Sequence, residues 1–298
     1  MSNAAEVLRI FEPSERSQAI ATGRLKVDPI TPDNVVLYSH YASICSQRAR
    51  LVLVEKQVPF KGVMLHYEEL ETITPTYLGI NPRGLVPTIV ADGDVVFDSA
   101  TIMRYVNNRY VGPDLMPGDE TQEALINKEI DTADFFPIRD LVFQVTRDRG
   151  SHGATHSGWG MDSVKKYISA LQEYQVKYPE FAENYAQKLK DWQGQLGRID
   201  NSEIMKDSYA YTDQVMDDFD DRLKSQSYIV GDEFSLADIT WMPILIRLQY
   251  SLGYKIWGNG LRPNLENYFI ERIQKRPGFK KAIVDHYYND VVPEGLAP

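Results

Sequence analysis

The chain has 298 residues and a single cysteine. Cys45 alone excludes an intramolecular disulfide framework and any cysteine-rich zinc site, and it fits a reducing compartment. Basic charge is also in deficit: 32 Lys and Arg stand against 42 Asp and Glu, a formal charge of −10. Such a chain is a poor partner for phosphate backbones or anionic membranes. Long apolar runs are missing. The longest, from Trp241 to Ile246, falls far short of the ~20 residues that span a bilayer. Glu6, Arg9 and Glu12 interrupt the start where a secretory signal needs an unbroken apolar stretch. These absences point to a cytoplasmic protein with neither nucleic acid nor membrane as partner. What is present is 43% apolar and 25% charged residues, enough for a real core, and a length that suggests two domains at roughly 150 residues each.

Residues 1–33 read as an N-terminal extension, polar and interrupted by Pro13, Pro29 and Pro32. A short helix about Val7, Ile10 and Phe11 that docks on the body, and a mobile tail, are both open readings. From residue 34 to 112 the pattern is dense. Strands are expected at 35–40, 60–67, 86–90 and 95–97, the last two joined at Asp92-Gly93, a hairpin dipeptide. Helices are expected at 43–56 and 99–110. The order β-α-β then β-β-α is that of a thioredoxin-like α/β domain with one parallel and one antiparallel pair. After a Gly/Pro/Asp linker (112–119), helical periodicity dominates. The spacing predicts helices over 120–134, 163–177, 180–196, 203–226, 235–252 and 265–275, so residues 118–290 read as an all-α bundle with a long helical insertion at about 163–211.

Three segments carry candidate chemistry. Ser43-Ile44-Cys45-Ser46 opens the first helix, where unpaired amides and the helix dipole stabilise a thiolate. Either Ser43 or Ser46 is simply a cap and Cys45 a small buried side chain, or the turn handles a thiol. Asn81-Pro-Arg-Gly-Leu-Val-Pro-Thr88 leads into a strand. A cis Val86-Pro87 bond there would expose the backbone of Val86 to an extended, peptide-like ligand, and an ordinary loop-to-strand connection is the alternative. Asp98-Ser99 starts the next helix. With Ser99 as its cap it makes a carboxylate-binding corner, and Asp98 is placed to take an ammonium. Together the three suit a zwitterionic thiol peptide.

The stretch 35–110, with these three segments, resembles the glutathione-binding domain of glutathione transferases. Phe234-Ser-Leu-Ala-Asp238 matches the capping box of their helical domain. The resemblance implies the glutathione transferase fold, glutathione as co-substrate and a homodimer. The turn Ser43-x-Cys45-Ser46 and Gln47-Arg-Ala-Arg50 are similar to tetrachlorohydroquinone and dichlorohydroquinone reductive dehalogenases, and more distantly to zeta-class maleylacetoacetate isomerases. The insertion and the segment from Trp257 to Tyr268 resemble ganglioside-induced differentiation-associated proteins. By that resemblance Ser43 donates to the glutathione sulfur and Cys45 resolves a glutathionyl intermediate by thiol exchange. Leu85, Val86, Pro87, Asp98 and Ser99 hold the peptide. Leu85 departs from the polar residue usual there, which leaves the glycine carboxylate to Arg83, His66 or a group from elsewhere. β-Aryl-ether cleavage, cis-trans isomerisation and a non-catalytic interaction module are the competing functions.

A small aromatic acceptor is expected between the domains, against Tyr41, Trp159, Trp241, Arg247 and Trp257, with Phe135, Phe136, Tyr250 and Arg139 as further candidates. Most such aromatics belong to cores. No metal is expected: His152 and His156 lack a metalloprotease glutamate, and Asp213, Asp217, Asp218, Asp220 and Asp221 lack the glycine and final glutamate of a calcium loop. They read as a solvated acidic face.

Overall fold

The computed structural model describes residues 15–148 and 160–285. The expected helix about Val7, Trp159 and the pair His152 and His156 lie outside the described residues. The first half runs α1 (Glu15–Ala21), β1 (Val35–Ser39), α2 (Ile44–Glu55), β2 (Lys61–Met64), α3 (Pro75–Leu78), β3 (Thr88–Ala91), β4 (Asp94–Phe97) and α4 (Ser99–Arg109). Its sheet has the order β2-β1-β3-β4. Helix α2 carries the chain back across the sheet, so β1 and β2 are parallel. Asp92 and Gly93 take φ of 51° and 85°, the left-handed pair that a two-residue hairpin demands, and β3 and β4 are antiparallel.

Strand register places the functional segments together. Tyr38 pairs with Thr88, and Thr88 with Phe97. The chain therefore leaves β1, enters β3 and leaves β4 at one edge of the sheet. Residues 40–45, 85–87 and 98–99, widely separated in sequence, become neighbours by this pairing alone.

The second half runs α5 (Glu120–Phe135), α6 (Ile138–Asp148), α7 (Met161–Lys177), α8 (Ala182–Ile199), α9 (Ser202–Arg222), α10 (Leu236–Ile246), α11 (Pro263–Asn267) and α12 (Pro277–Phe279). Helix α10 is its axis, with every residue buried. Its capping box is closed: Ser235 N–H donates to Asp238 at 2.9 Å, and the Ser235 hydroxyl accepts from Ala237 N–H at 3.2 Å. Asp238 also accepts from Ile229 N–H at 3.1 Å and from the Tyr268 hydroxyl at 2.7 Å. Two buried arginines of α2 bolt the halves together. Arg48 donates to the Thr240 carbonyl (3.1 Å) and to Asp134 (2.6 Å), and Arg50 to the Ala282 carbonyl (3.1 Å).

Two expectations change. Helix α6 was not expected. Phe136 is extended (ψ 134°) because the following proline disfavours the helical region before it, and Pro137 then opens a new helix instead of ending the old one. The acidic run on α9 is engaged rather than merely solvated. Arg262 sits between Asp213 (2.9 Å) and Asp217 (2.7 Å), while Asp220 accepts from the Asn264 and Leu265 amides at the start of α11. A buried guanidinium is tolerated only with such partners.

The hairpin of α7 and α8 folds back over the first half of the chain. Tyr185 donates to the Ile73 carbonyl (2.9 Å), Lys166 to that of Glu68 (2.9 Å) and Asn184 to that of Pro82 (3.0 Å). Ile73 and Leu78 share an apolar cluster with Val164, Leu171 and Tyr185. Asp140 of α6, held by Gln195 (2.9 Å) and by bonds from Arg198 (2.6, 3.0 and 3.2 Å), ties α6 to α8. The insertion is therefore a roof for the edge of the sheet.

Candidate active site

Helix α2 begins where β1 ends. Ser43 is its N-cap: φ −74° and ψ 120° are extended, and the hydroxyl accepts from Ser46 N–H at 3.2 Å. Tyr67 also hydrogen-bonds to the Ser43 side chain, and burial holds the Tyr67 phenol above its ordinary pKa. With Ser46 N–H accepted at its oxygen, the Ser43 hydroxyl still carries one proton that it can donate. Cys45, two residues further on in the first turn of α2, is exposed. The alternative of a small buried side chain is thereby removed, whereas the capping role of Ser43 is observed.

His40, beneath this turn, is buried between the rings of Tyr41 (4.2 Å) and Tyr67 (4.3 Å). Its Nδ1 accepts from Ala42 N–H at 3.2 Å, which places the proton on Nε2. Among the described residues that Nε2–H has no hydrogen-bond partner. Burial, reinforced by the neighbouring His66, Arg50 and Arg247, lowers the His40 pKa to about 3. The imidazole is neutral at any ordinary pH.

At the next position along the edge the Val86-Pro87 bond is cis. Val86 is almost fully buried and Leu85 is half exposed. The Leu85 carbonyl accepts from the Tyr77 hydroxyl (2.7 Å) and Asn81 (2.9 Å). At the third position Asp98, not Ser99, is the cap of α4, accepting from Thr101 N–H at 3.0 Å. Asp98 holds φ 75° and ψ 122°, a strained conformation for a non-glycine residue, costing ~1–3 kcal/mol. The sharp turn lets its own carboxylate reach the helix amides, which displaces Ser99 into the first turn. There the buried Ser99 hydroxyl lies 3.5 Å from Arg48 Nη1.

A cavity of 440 Å³ opens over the first two positions. Ser43, Cys45, Leu85, Val86 and Arg247 line it, as does His40. Helices α6 and α8 supply its far wall: Arg139, Val142 and Phe143 from one, Lys188 and Trp192 from the other. Arg247 is buried and donates to the Ala42 carbonyl. Pro87, Asp98 and Ser99 lie on the same edge without lining the cavity. The three positions belong to adjacent strands β1, β3 and β4, so they span roughly 10 Å, about the length of an extended tripeptide.

The expected aromatic wall is different. Trp241 is wholly buried in the core, its ring against Phe136 (5.2 Å) and Phe219 (4.8 Å) and its indole N–H on Glu129 (3.1 Å). Trp257 packs on Phe269 (4.8 Å) beside a separate depression with Gln249 and Lys255. Tyr41 is buried next to His40 and does not line the cavity. Phe135 is 87% exposed. Sequence reasoning missed Tyr67, Phe143, Lys188 and Trp192. A readable signal existed for Lys188, which occupies the buried stripe of α8 with Tyr185, Trp192, Gln195 and Ile199. Among the described residues no group of three or more His, Cys, Asp or Glu side chains is placed to hold a metal, and no described helix is long and apolar enough to cross a membrane.

Residues 42–109 match the family model of the glutathione S-transferase N-terminal domain, and residues 203–271 that of the C-terminal domain. The chain belongs to the glutathione S-transferase family. This transferase is 29% identical to the tetrachloro-p-hydroquinone reductive dehalogenase of Sphingobium chlorophenolicum, over 84% of this chain and 96% of that one. It is 25% identical to the human ganglioside-induced differentiation-associated protein 1-like 1, over 85% and 74% of the two chains. Among solved structures, the beta-etherase LigF from Sphingobium sp. strain SYK-6 superposes with a TM-score of 0.66 at 21% identity, covering 85% of this chain and all of that one.

Proposed function

We propose that this transferase binds glutathione along the sheet edge and uses its thiolate on a small aromatic or quinol electrophile, in a reaction of the reductive dehalogenase type. The observation that carries the reading is the convergence of Ser43, an exposed Cys45 and the Val86 backbone on one cavity. In this reading the peptide pairs with Val86. Its γ-glutamyl end meets Asp98, Ser99 and the first amides of α4, and its sulfur meets Ser43 and the start of α2. Ser43 donates its spare proton to the thiolate.

With a chlorinated hydroquinone the thiolate displaces chloride, giving a glutathionyl-arene. The Cys45 thiolate then attacks that sulfur. The S–S bond forms, the carbon–sulfur pair leaves on the ring, and the ring carbon takes a proton. A second glutathione reduces the mixed disulfide and leaves as glutathione disulfide. The sum is one aryl chloride and two thiols giving one arene, one disulfide, chloride and a proton. Cys45→Ser, assayed with glutathione and a chlorinated hydroquinone, should accumulate the glutathione conjugate in place of the dechlorinated product. Absence of turnover by the wild type would remove the dehalogenase reading, and equal products from both proteins would remove the role of Cys45. A homodimer belongs to the same reading; light scattering should give twice the chain mass of 34.1 kDa.

A further inference from the structure

Lys188 is a lysine where the folding pattern of α8 calls for an apolar side chain. It is 7% exposed and lines the cavity. Among the described residues its ammonium forms no hydrogen bond and no ion pair. The facing charges do not neutralise it. Asp191, on the same helix and exposed, draws it toward the charged form, but that carboxylate already accepts from Gln187 at 2.8 Å. Arg139, across the cavity on α6, opposes it. The Arg139 guanidinium is itself stacked over Trp192 at 5.1 Å and Phe143 at 5.7 Å. Two cations thus face one carboxylate in a pocket with an apolar wall, within a protein of net charge −10. An unpaired buried ammonium is costly to a fold, so it marks a place completed by something else.

The lysine's position tells what completes it. A Cβ built on Gly84 would stand 2.6 Å from Lys188 Cε. The end of the lysine stem therefore lies against Gly84, where glycine is required by the Thr72 carbonyl, also 2.6 Å from such a Cβ, and by its φ of 52°. Lys188 thus lines the cavity together with Gly84, Leu85 and Val86, whereas Asp98 and Ser99 do not line it. The bonds of Asn184 to Pro82 and Tyr185 to Ile73 lock α8 in that place.

We propose that Lys188, delivered by the α7–α8 hairpin, is the cavity's carboxylate-binding residue. The carboxylate is either the glycine end of glutathione or an acid group on the aromatic acceptor, and the inference rests on the proposed function only for the first of these. The charged hydrogen bond is made only when ligand is bound, so Lys188 serves the complex at the expense of the free protein.

The test compares wild type, Lys188→Met and Lys188→Arg by calorimetric titration and thermal unfolding. The probes are glutathione against its glycine amide, and benzoate against benzamide. Wild type should prefer the carboxylate of at least one pair by roughly ten- to a hundredfold, the value of a charged hydrogen bond. Lys188→Met should abolish that preference and unfold at a higher temperature without ligand, and Lys188→Arg should keep most of the preference. The glutathione pair showing it assigns the glycine end, and the benzoate pair an acidic acceptor. A Lys188→Met protein that retains the preference overturns the proposal, as does a wild type with no preference in either pair. Loss of unfolding temperature in Lys188→Met with the preference intact also overturns it, because the lysine would then be structural. A wild type that binds neither glutathione nor its amide removes the proposed function, while the benzoate pair still judges Lys188.

Discussion

Replacing Ser43 by alanine separates two roles that one hydroxyl performs. As an N-cap, Ser43 accepts from Ser46 N–H at 3.2 Å, and its loss costs about 1 kcal/mol of stability. As a donor to bound thiolate it contributes the energy of a hydrogen bond to a charged group, about 1.5–3 kcal/mol. At 1.36 kcal/mol per unit, that second loss raises the pKa of bound glutathione by ~1–2 units. The remaining field of α2 keeps the thiol below its free value. The assay is a pH titration of ultraviolet thiolate absorbance at saturating glutathione, for wild type, Ser43→Ala and Ser43→Thr. Destabilisation alone lowers the amplitude without moving the midpoint, so the two effects are read separately. Ser43→Thr, which retains cap and donor, should titrate like wild type. Tyr67→Phe should give a smaller shift in the same direction as Ser43→Ala, since a Ser43 that gives its proton to the thiolate can meet Tyr67 only as an acceptor. An unchanged midpoint in Ser43→Ala refutes the assignment of Ser43 as thiolate donor.

Two further outcomes follow from buried polar groups. Asp238→Ala leaves the amides of Ser235 and Ile229 and the Tyr268 hydroxyl without their acceptor in a fully buried place, and urea denaturation should show a loss of roughly 3–5 kcal/mol. A loss under 1 kcal/mol would contradict the role of the capping box as a tertiary clamp. His40, with a pKa lowered to about 3 by burial, binds its proton in the unfolded chain first. The unfolded state therefore holds more protons between that value and the ordinary 6.5, and stability falls as pH drops through this window. His40→Gln should flatten the acid limb of stability against pH; an identical limb in both proteins would rule out His40 as its source.

The sheet and its edge were legible because alternation, the Asp92-Gly93 hairpin and the capping residues are local signals, and register then follows from them. Ser43, Cys45, Leu85 and Val86 meet at one cavity because parallel and antiparallel pairing leaves no other arrangement of those strand ends. The far wall was not legible. Whether a tryptophan is core or lining depends on which helix it meets: Trp241 and Trp192 look alike in sequence, yet one is enclosed by Phe136 and Phe219 and the other faces the cavity. Helix α6 was hidden by Pro137, which reads equally as a stop and as a first helical residue. The acidic run on α9 was misjudged because its partner, Arg262, comes from more than forty residues along the chain.

The central claim, that Cys45 completes glutathione chemistry begun at Ser43, is tested most directly by the intact mass of the protein after a single turnover. Enzyme, one equivalent of glutathione and one of chlorinated hydroquinone are mixed and quenched in acid. The account predicts dechlorinated product together with protein heavier by one glutathione less two hydrogens, carried on Cys45 and removed by a second equivalent of glutathione. Dechlorinated product released from unmodified protein would contradict it.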